Sequence, residues 1–255
     1  RGSCGLCKCK VTAGGGDILP TELPWLNKEE QAEMIRLTCQ LKVKRDMSIS
    51  IPEELFNVKQ FEAEVSELVD LTHDIKGVSL NLPEQMDFVA GQFIQVETPP
   101  YELTDEPIFR AYSVASCPTL CNCVQLEIKL VPDGICSTYI HKYLKEGDKL
   151  TITGPYGDFF LRDTESEILF IATGSGMAPI RAILQQMKED GIERKARYFF
   201  GARHYEDLFL LDEMAMYEKE LSDFKFFPTL SRPRAEANWE GEVGRVTDLC
   251  EKYVE

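Results

Sequence analysis

Three contrasting stretches of sequence predict a multidomain chain: a short cysteine-bearing segment, an antiparallel Greek-key β-barrel, and an α/β doubly wound domain. Cysteines at positions 4, 7 and 39 mark the first stretch. Between Gln60 and Leu161 short runs of alternating character are separated by turns, as a barrel requires. From Ile168 onward apolar strand patterns alternate with amphipathic helices, which argues for a doubly wound sheet.

The predicted boundaries are residues 1–56, 57–163 and 164–255. Pro52-Glu53-Glu54 interrupts the strand pattern of Met47 to Ile51 and closes the first domain. Arg162-Asp163-Thr164-Glu165-Ser166-Glu167 bridges the second to the third. A length of 255 residues with 44% hydrophobic content is enough to bury more than one core. The formal charge of −15 argues against nucleic acid, which selects basic faces. No run of 18 apolar residues is present, so no membrane span is expected, although Arg1 leaves room for an upstream anchor.

Within the barrel stretch, Ile108 to Ala115 reads as a strand, so Arg110 and Tyr112 share a face. A planar guanidinium suits a phosphate, and an aromatic ring suits a flat heterocycle. Ser113 adds a small donor beside them. The run Val124 to Val131 is a second strand, and Pro132-Asp133-Gly134 turns it into a short helix beginning near Ser137 and Thr138. A helix start offers outward backbone N–H groups to a pyrophosphate, with N-capping by Ser137 as the plain structural reading. Gly134, Ser137 and Thr138 are therefore candidate phosphate contacts.

In the third stretch Ile168 to Ala172 is a continuous apolar run of the kind a buried parallel strand shows. Thr173-Gly174-Ser175-Gly176-Met177-Ala178-Pro179 follows it, and Met177, Ile180, Leu184 and Met187 recur at helical spacing. Strand, glycine turn and helix form the context a dinucleotide site needs, with Gly174 and Gly176 allowing close backbone approach. Arg197 to Gly201 is a further strand, Asp207 to Leu221 a helix, and Lys225 to Leu230 a third strand. Arg203 and Arg232 follow two of these strands and could read a ribose phosphate.

The order Arg110-Ala111-Tyr112-Ser113, then Gly134-Ile135-Cys136-Ser137-Thr138, then Gly174 to Pro179 resembles the ferredoxin–NADP reductase superfamily. Gly91-Gln92-Phe93 and Gly154-Pro155-Tyr156-Gly157 match further landmarks of it. The resemblance implies FAD on a six-stranded barrel, held by Arg110, Tyr112, Ser113, Gly134, Ser137 and Thr138, with Tyr112 and Ser113 beside the reacting ring. It implies a nicotinamide nucleotide at Thr173, Gly174, Gly176 and Pro179, with Arg203 and Arg232 nearby. NADH is expected ahead of NADPH on the same ground. The implied chemistry is hydride transfer to the flavin and single-electron release from it, which the cofactors perform while the protein sets orientation.

At the front of the chain Cys4-Gly5-Leu6-Cys7 is a C-x2-C pair with Cys39 far downstream. Plant-type [2Fe–2S] clusters use C-x4-C-x2-C and a remote fourth Cys, which makes Cys4, Cys7 and Cys39 candidate ligands of a partial β-grasp ferredoxin. Zinc is the rival reading of the pair, against which stands the absence of a second close pair or nearby His. Cys9 is read as a small buried strand residue. Cys117, Cys121 and Cys123 fit no ligand pattern, Cys136 sits within the proposed phosphate turn, where its backbone matters more than its thiol, and Cys250 falls on a terminal helix without partners. Irregular cysteine pairing points to a reducing compartment. His73, His141 and His204 are scattered and are read as structural or solvent-facing.

A ferredoxin placed before the flavin domain resembles the F subunit of sodium-translocating NADH:quinone reductases and the reductase components of multicomponent monooxygenases. The stretches from Gly14 to Leu23 and Arg36 to Gln40 favour the former, while the short segment Thr98 to Pro107 departs from it. A quinone-reducing complex or an electron-acceptor protein is the implied partner, and the cytoplasm, at the inner membrane face, the implied location. A noncatalytic electron-transfer or docking subunit is the alternative from another class. The family's closing Cys-Gly-Pro segment is not found after Val243, so the nucleotide domain is expected to be incomplete and flavin reduction by NADH slow.

Overall fold

The computed structural model describes residues 7–50, 58–120, 122–235 and 238–254. The chain forms two compact units, Arg1–Asn57 and Val58–Glu255. Cys4, Cys121 and the predicted boundary at Ile51 to Phe56 lie outside the described residues.

The first unit has a three-stranded antiparallel sheet in the order β2-β1-β3, built from β1 (Lys8–Ala13), β2 (Ile35–Leu37) and β3 (Ser48–Ser50), with the short helix α1 (Lys28–Ala32) between the first two. Asn27 caps α1 reciprocally with Glu30, each side chain accepting the other's backbone N–H at 2.8 Å. Cys9 is buried on β1, as its place in the strand predicts.

A fully buried ion pair organises this unit. Arg36 donates from Nε and Nη2 to the Glu22 carboxylate at 3.0 and 2.6 Å, and from Nη1 to the carbonyls of Gly15 and Gly16 at 2.8 and 3.2 Å. Glu22 also accepts the backbone N–H groups of Leu19 and Leu37, each at 2.8 Å. Gly16 holds φ at +67°, a left-handed conformation that costs glycine no Cβ strain. Burial alone would raise the Glu22 carboxyl, but the Arg36 hydrogen bonds, the two backbone donors and the Arg36 charge outweigh it and hold it below its ordinary value.

The second unit begins with six antiparallel strands: β4 (Lys59–Asp70), β5 (Ile75–Asn81), β6 (Phe93–Thr98), β7 (Ile108–Ser113), β8 (Cys123–Lys129) and β9 (Lys149–Tyr156). Their order is β7-β6-β9-β4-β5-β8. Alternation builds the core: Phe61, Ala63 and Val65 point inward from β4, Ile94 and Val96 from β6, and Val124, Leu126 and Ile128 from β8. The edges meet where Val114, just past β7, bridges Leu126 on β8 and Ala115 N–H donates to Gln125 O at 2.7 Å. The predicted barrel is thus a curled sheet, its rim strands joined beyond the end of β7. Helix α2 (Ile135–Lys142) lies between β8 and β9.

The remainder is a parallel sheet with helices: β10 (Ile168–Thr173), α3 (Met177–Glu189), β11 (Ala196–Ala202), α4 (Leu211–Glu220), β12 (Phe224–Leu230), β13 (Glu242–Val243) and α5 (Val246–Val254). The order is β10-β11-β12-β13. Met177, Ile180, Leu184 and Met187 are all buried, as their spacing predicts. Two expectations shift. The apolar run of β10 is buried only on the α3 side, through Ile168 and Phe170, while Leu169 and Ile171 are 45% and 46% exposed on the face where α5 covers Phe199 and Phe227. The helix expected from Asp207 begins at Leu211, because Asp207 spends its carboxylate on the His204 N–H at 2.9 Å and Leu208 and Phe209 turn into the core.

Replacing Arg36 by Ala would strand the Glu22 carboxylate in an apolar site, a loss of about 3–5 kcal/mol. Chemical denaturation of the full chain checks this, with a selective loss of the first unit expected. Because the Glu22 pKa is lowered on folding, the stabilisation is complete above its ordinary value of 4.5 and is lost as pH falls through the lowered value.

Candidate functional site

The predicted residues fall into three groups. The first is on β7 and α2. Arg110 is exposed, its guanidinium engaging the Phe109 carbonyl at 2.8 Å, and Val96 and Ile94 of β6 pair with Arg110 and Tyr112. Tyr112 packs against the barrel core; burial first, then the proximity of Cys136, raises its phenol well above the ordinary value, while Arg110 opposes this weakly. Cys136 in turn sits 3.4 Å from the Ile108 carbonyl, so the start of α2 and the start of β7 are neighbours.

The start of that helix differs from the expectation. Gly134, not Ser137, is its N-cap, and Ser137 and Thr138 are buried within the first turn. The Ser137 hydroxyl accepts the Val131 N–H at 3.1 Å and faces the Gly134 carbonyl at 3.3 Å, closing the turn from inside. Ile135 and Cys136, the first residues after the N-cap, carry backbone N–H groups without an intrahelical acceptor, and the Ser137 hydroxyl holds the turn.

The second group lines a cavity of about 1090 Å³ at the carboxyl ends of the parallel strands. Thr173, Gly174, Arg203 and Arg232 are on its wall; Gly176 and Pro179 lie in the turn and first turn of α3 behind it. Gly174 has φ +53°, a left-handed conformation in which any side chain would be strained, and a Cβ there would stand 3.8 Å from Lys129 Nζ. The carboxyl edge of such a sheet is where open α/β folds take ligands.

Several wall residues escaped the sequence reading. Arg234, Arg245 and Thr247 add to the nucleotide side, and His73, Asp74, Ile75 and Lys129 come from the barrel. Lys129 Nζ pairs with Asp74 at 2.9 Å. Burial pushes the Asp74 carboxyl up, but the Lys129 and Thr72 hydrogen bonds and the Lys129 and His73 charges win and lower it. Of the three histidines, His141 is structural, with Nε2 2.8 Å from the Ile128 carbonyl. His73 and His204 instead line the cavity. Lys129 had a signal, since it falls on the outward face of a strand ending at the barrel rim; the turn at His73 had none that sequence alone distinguishes from a solvent loop.

The third group is in the first unit. Lys8 on β1 pairs with Leu37 on β2, and Thr38 N–H donates to the Cys7 carbonyl at 2.8 Å, so Cys7 and Cys39 sit side by side. Burial raises the Cys7 thiol, but hydrogen bonds from Cys39 and Thr38 prevail and lower it. Among the described residues no set of three or more His, Cys, Asp or Glu is placed to hold a metal ion. Two of the three predicted ligands are described, and the fold brings them together.

Among the described residues no helix is long and apolar enough to cross a membrane. Residues 62–161 match the oxidoreductase FAD-binding domain and residues 170–255 the oxidoreductase NAD-binding domain. The F subunit of the Na(+)-translocating NADH-quinone reductase of Moritella marina is 37% identical, the match covering 99% of this chain and 96% of that protein. That of Idiomarina loihiensis is also 37% identical, covering 99% of this chain and 71% of that protein. Among solved structures, the Amycolatopsis cytochrome P450 reductase GcoB superposes with a TM-score of 0.80 at 28% identity, covering 100% of this chain and 77% of that one. The ferredoxin reductase in carbazole 1,9a-dioxygenase gives 0.72 at 25% identity, covering 99% and 75%. With its curled flavin sheet, its parallel nucleotide sheet and these relatives, the chain belongs to the ferredoxin–NADP reductase superfamily, as an FAD- and NAD-binding reductase homologous to NADH-quinone reductase F subunits.

Proposed function

We propose that this protein passes electrons from NADH through FAD to a [2Fe–2S] cluster and on to a quinone or protein acceptor. The carrying observation is that the flavin sheet itself builds one wall of the nucleotide cavity, through His73, Asp74, Ile75 and Lys129. A nicotinamide nucleotide bound there touches both domains, which is the positioning that hydride transfer needs. FAD, when bound, supplies the conversion of a two-electron input into single-electron output.

The chain's own groups divide the work. Arg110 offers a fork of donors to the flavin phosphate, and Tyr112 and Ser113 orient the ring. The turn at Gly134, braced by Ser137 and Thr138, presents backbone N–H groups to the pyrophosphate. Thr173, Gly174 and Gly176, with Pro179 in the first turn of the helix, receive the nicotinamide nucleotide, and Arg203 and Arg232 receive its adenosine side. The four arginines of the cavity, Arg203, Arg232, Arg234 and Arg245, make NADPH the competitor to measure against NADH. In the first unit, adjacent Cys7 and Cys39, with Cys4, form the iron-binding set; thiolates are the donors such clusters require.

A second reading has a specific support. The two structural relatives above are named as a cytochrome P450 reductase and as the ferredoxin reductase in a dioxygenase, and the link between β6 and β7 is short here. On that reading the acceptor is an oxygenase component and the internal relay is the same.

Arg110→Ala is expected to weaken FAD retention by about 1.5–3 kcal/mol, the worth of hydrogen bonds to a charged group; fluorescence titration of the apoprotein with FAD measures it, and unchanged affinity would contradict the assignment. Cys7→Ser and Cys39→Ser are each expected to abolish the low-temperature electron paramagnetic resonance signal of the dithionite-reduced protein while sparing the flavin absorbance. A signal that survives both substitutions would contradict Cys7 and Cys39 as ligands of the cluster.

A further inference from the structure

Strand β8 presents one face to the barrel core and the other to the nucleotide domain. Gln125, Glu127 and Lys129 occupy this outer face. Lys129 abuts the Gly174 turn, and Gln125 Oε1 accepts from Arg181 Nη1 at 3.1 Å. Between them Glu127 is buried, its side chain 1% exposed, and neither carboxyl oxygen has a hydrogen-bond partner.

The surrounding charges are unbalanced. Arg181, in the second turn of α3, lies 3.9 Å from Glu127 Oε1 but is committed through Nε to Glu213 of α4 at 2.8 Å. Glu213 also accepts the Tyr217 hydroxyl at 3.0 Å. From β11 the Tyr198 hydroxyl, likewise buried and without a partner, is influenced by Glu127. Two carboxyls thus face one guanidinium and two phenols. An unpaired buried carboxylate is costly, so the group that lacks the direct contact carries a proton instead. Burial, with Glu213 adding to it against the pull of Arg181, pushes Glu127 up to about 8. A cleft of about 590 Å³ lined by Arg181, Glu213 and Tyr217 gives solvent a way to the outer side of the cluster.

We infer that Glu127 is a positioning residue that acts through Arg181: its protonation state sets how helix α3 and the Gly174 turn dock on β8, and so how tightly the nicotinamide nucleotide is held. This rests on the nucleotide reading of the cavity. With the proton on, Arg181 stays with Glu213 and the seam is closed. With the proton off, a second anion competes for Arg181 and draws water into the seam, four residues from the start of α3. The turn that receives the phosphates is then displaced, and a negative charge stands behind an anion pocket.

The test uses the full FAD-loaded chain, titrated with NAD⁺ and NADP⁺ by calorimetry from pH 6.5 to 9.5, so that binding is read without turnover. The dissociation constant of wild type is expected to rise by about 5-fold or more across pH 8, within the ordinary range of coupling between sites. Glu127→Gln, which keeps the shape and cannot ionise, is expected to bind tightly with no inflection there. Infrared difference spectra supply an independent readout: a protonated-carboxyl band present at pH 7, titrating near pH 8, and missing in the variant. An inflection unchanged in Glu127→Gln, or no such band, overturns this inference alone. Absence of nucleotide binding in wild type at every pH overturns the nucleotide reading and this inference with it.

Discussion

The seam between strand β8 and the first turns of helix α3 is the contact on which the functional architecture depends. On its inner face β8 contributes Val124, Leu126 and Ile128 to the flavin-sheet core; on its outer face it receives the glycine turn of the nucleotide domain. Ile75 and Ala90 of the flavin sheet belong to the core formed by α3, α4 and the parallel strands, so the two halves share buried apolar surface. That shared burial stabilises the seam by the usual hydrophobic terms, about 1.5–3 kcal/mol for a buried aliphatic side chain such as Ile75. The two sheets are therefore held in a fixed mutual geometry, the condition for transfer between ligands bound to each.

Charge is distributed against the average of the molecule. The chain carries a net −15, yet the cavity at the ends of β10, β11 and β12 gathers Arg203, Arg232, Arg234, Arg245 and Lys129. Two of these are held by acids: Lys129 by Asp74 and Arg234 by Glu206 at 2.7 Å. Cationic side chains gathered in one cleft of an otherwise acidic chain focus the field where an anionic dinucleotide belongs. In the first unit the same principle is used for structure, where Glu22 and Arg36 neutralise each other inside the fold and pin the loop at Gly15 and Gly16 to the strand that precedes Cys39.

Much of this was legible in the sequence because it is local. Strand β7 with Arg110 and Tyr112, the Gly174 turn between an apolar strand and an amphipathic helix, and the approach of Cys7 to Cys39 all follow from pattern and short motif. What escaped is the tertiary part. Ser137 reads as a cap because serine suits that role, but the preceding Gly134 takes the extended conformation first and Ser137 is drawn inside. His73 looks like a loop residue until the turn after β4 is folded against the nucleotide domain, where it faces Asp207 at 3.6 Å. Glu127 is one charged residue of an alternating strand, and only the arrival of α3 on that face buries it. The six-stranded sheet was expected as a barrel; its rim strands meet beyond the end of β7, a detail of curvature that no short window encodes.

Anaerobic mixing of the purified, flavin-loaded chain with one equivalent of NADH tests the central claim most directly, with flavin absorbance and the iron–sulfur paramagnetic signal followed together. Loss of the oxidised flavin bands accompanied by growth of the cluster signal is the predicted result. A protein that holds its flavin and keeps it fully oxidised in the presence of NADH and of NADPH would contradict the account.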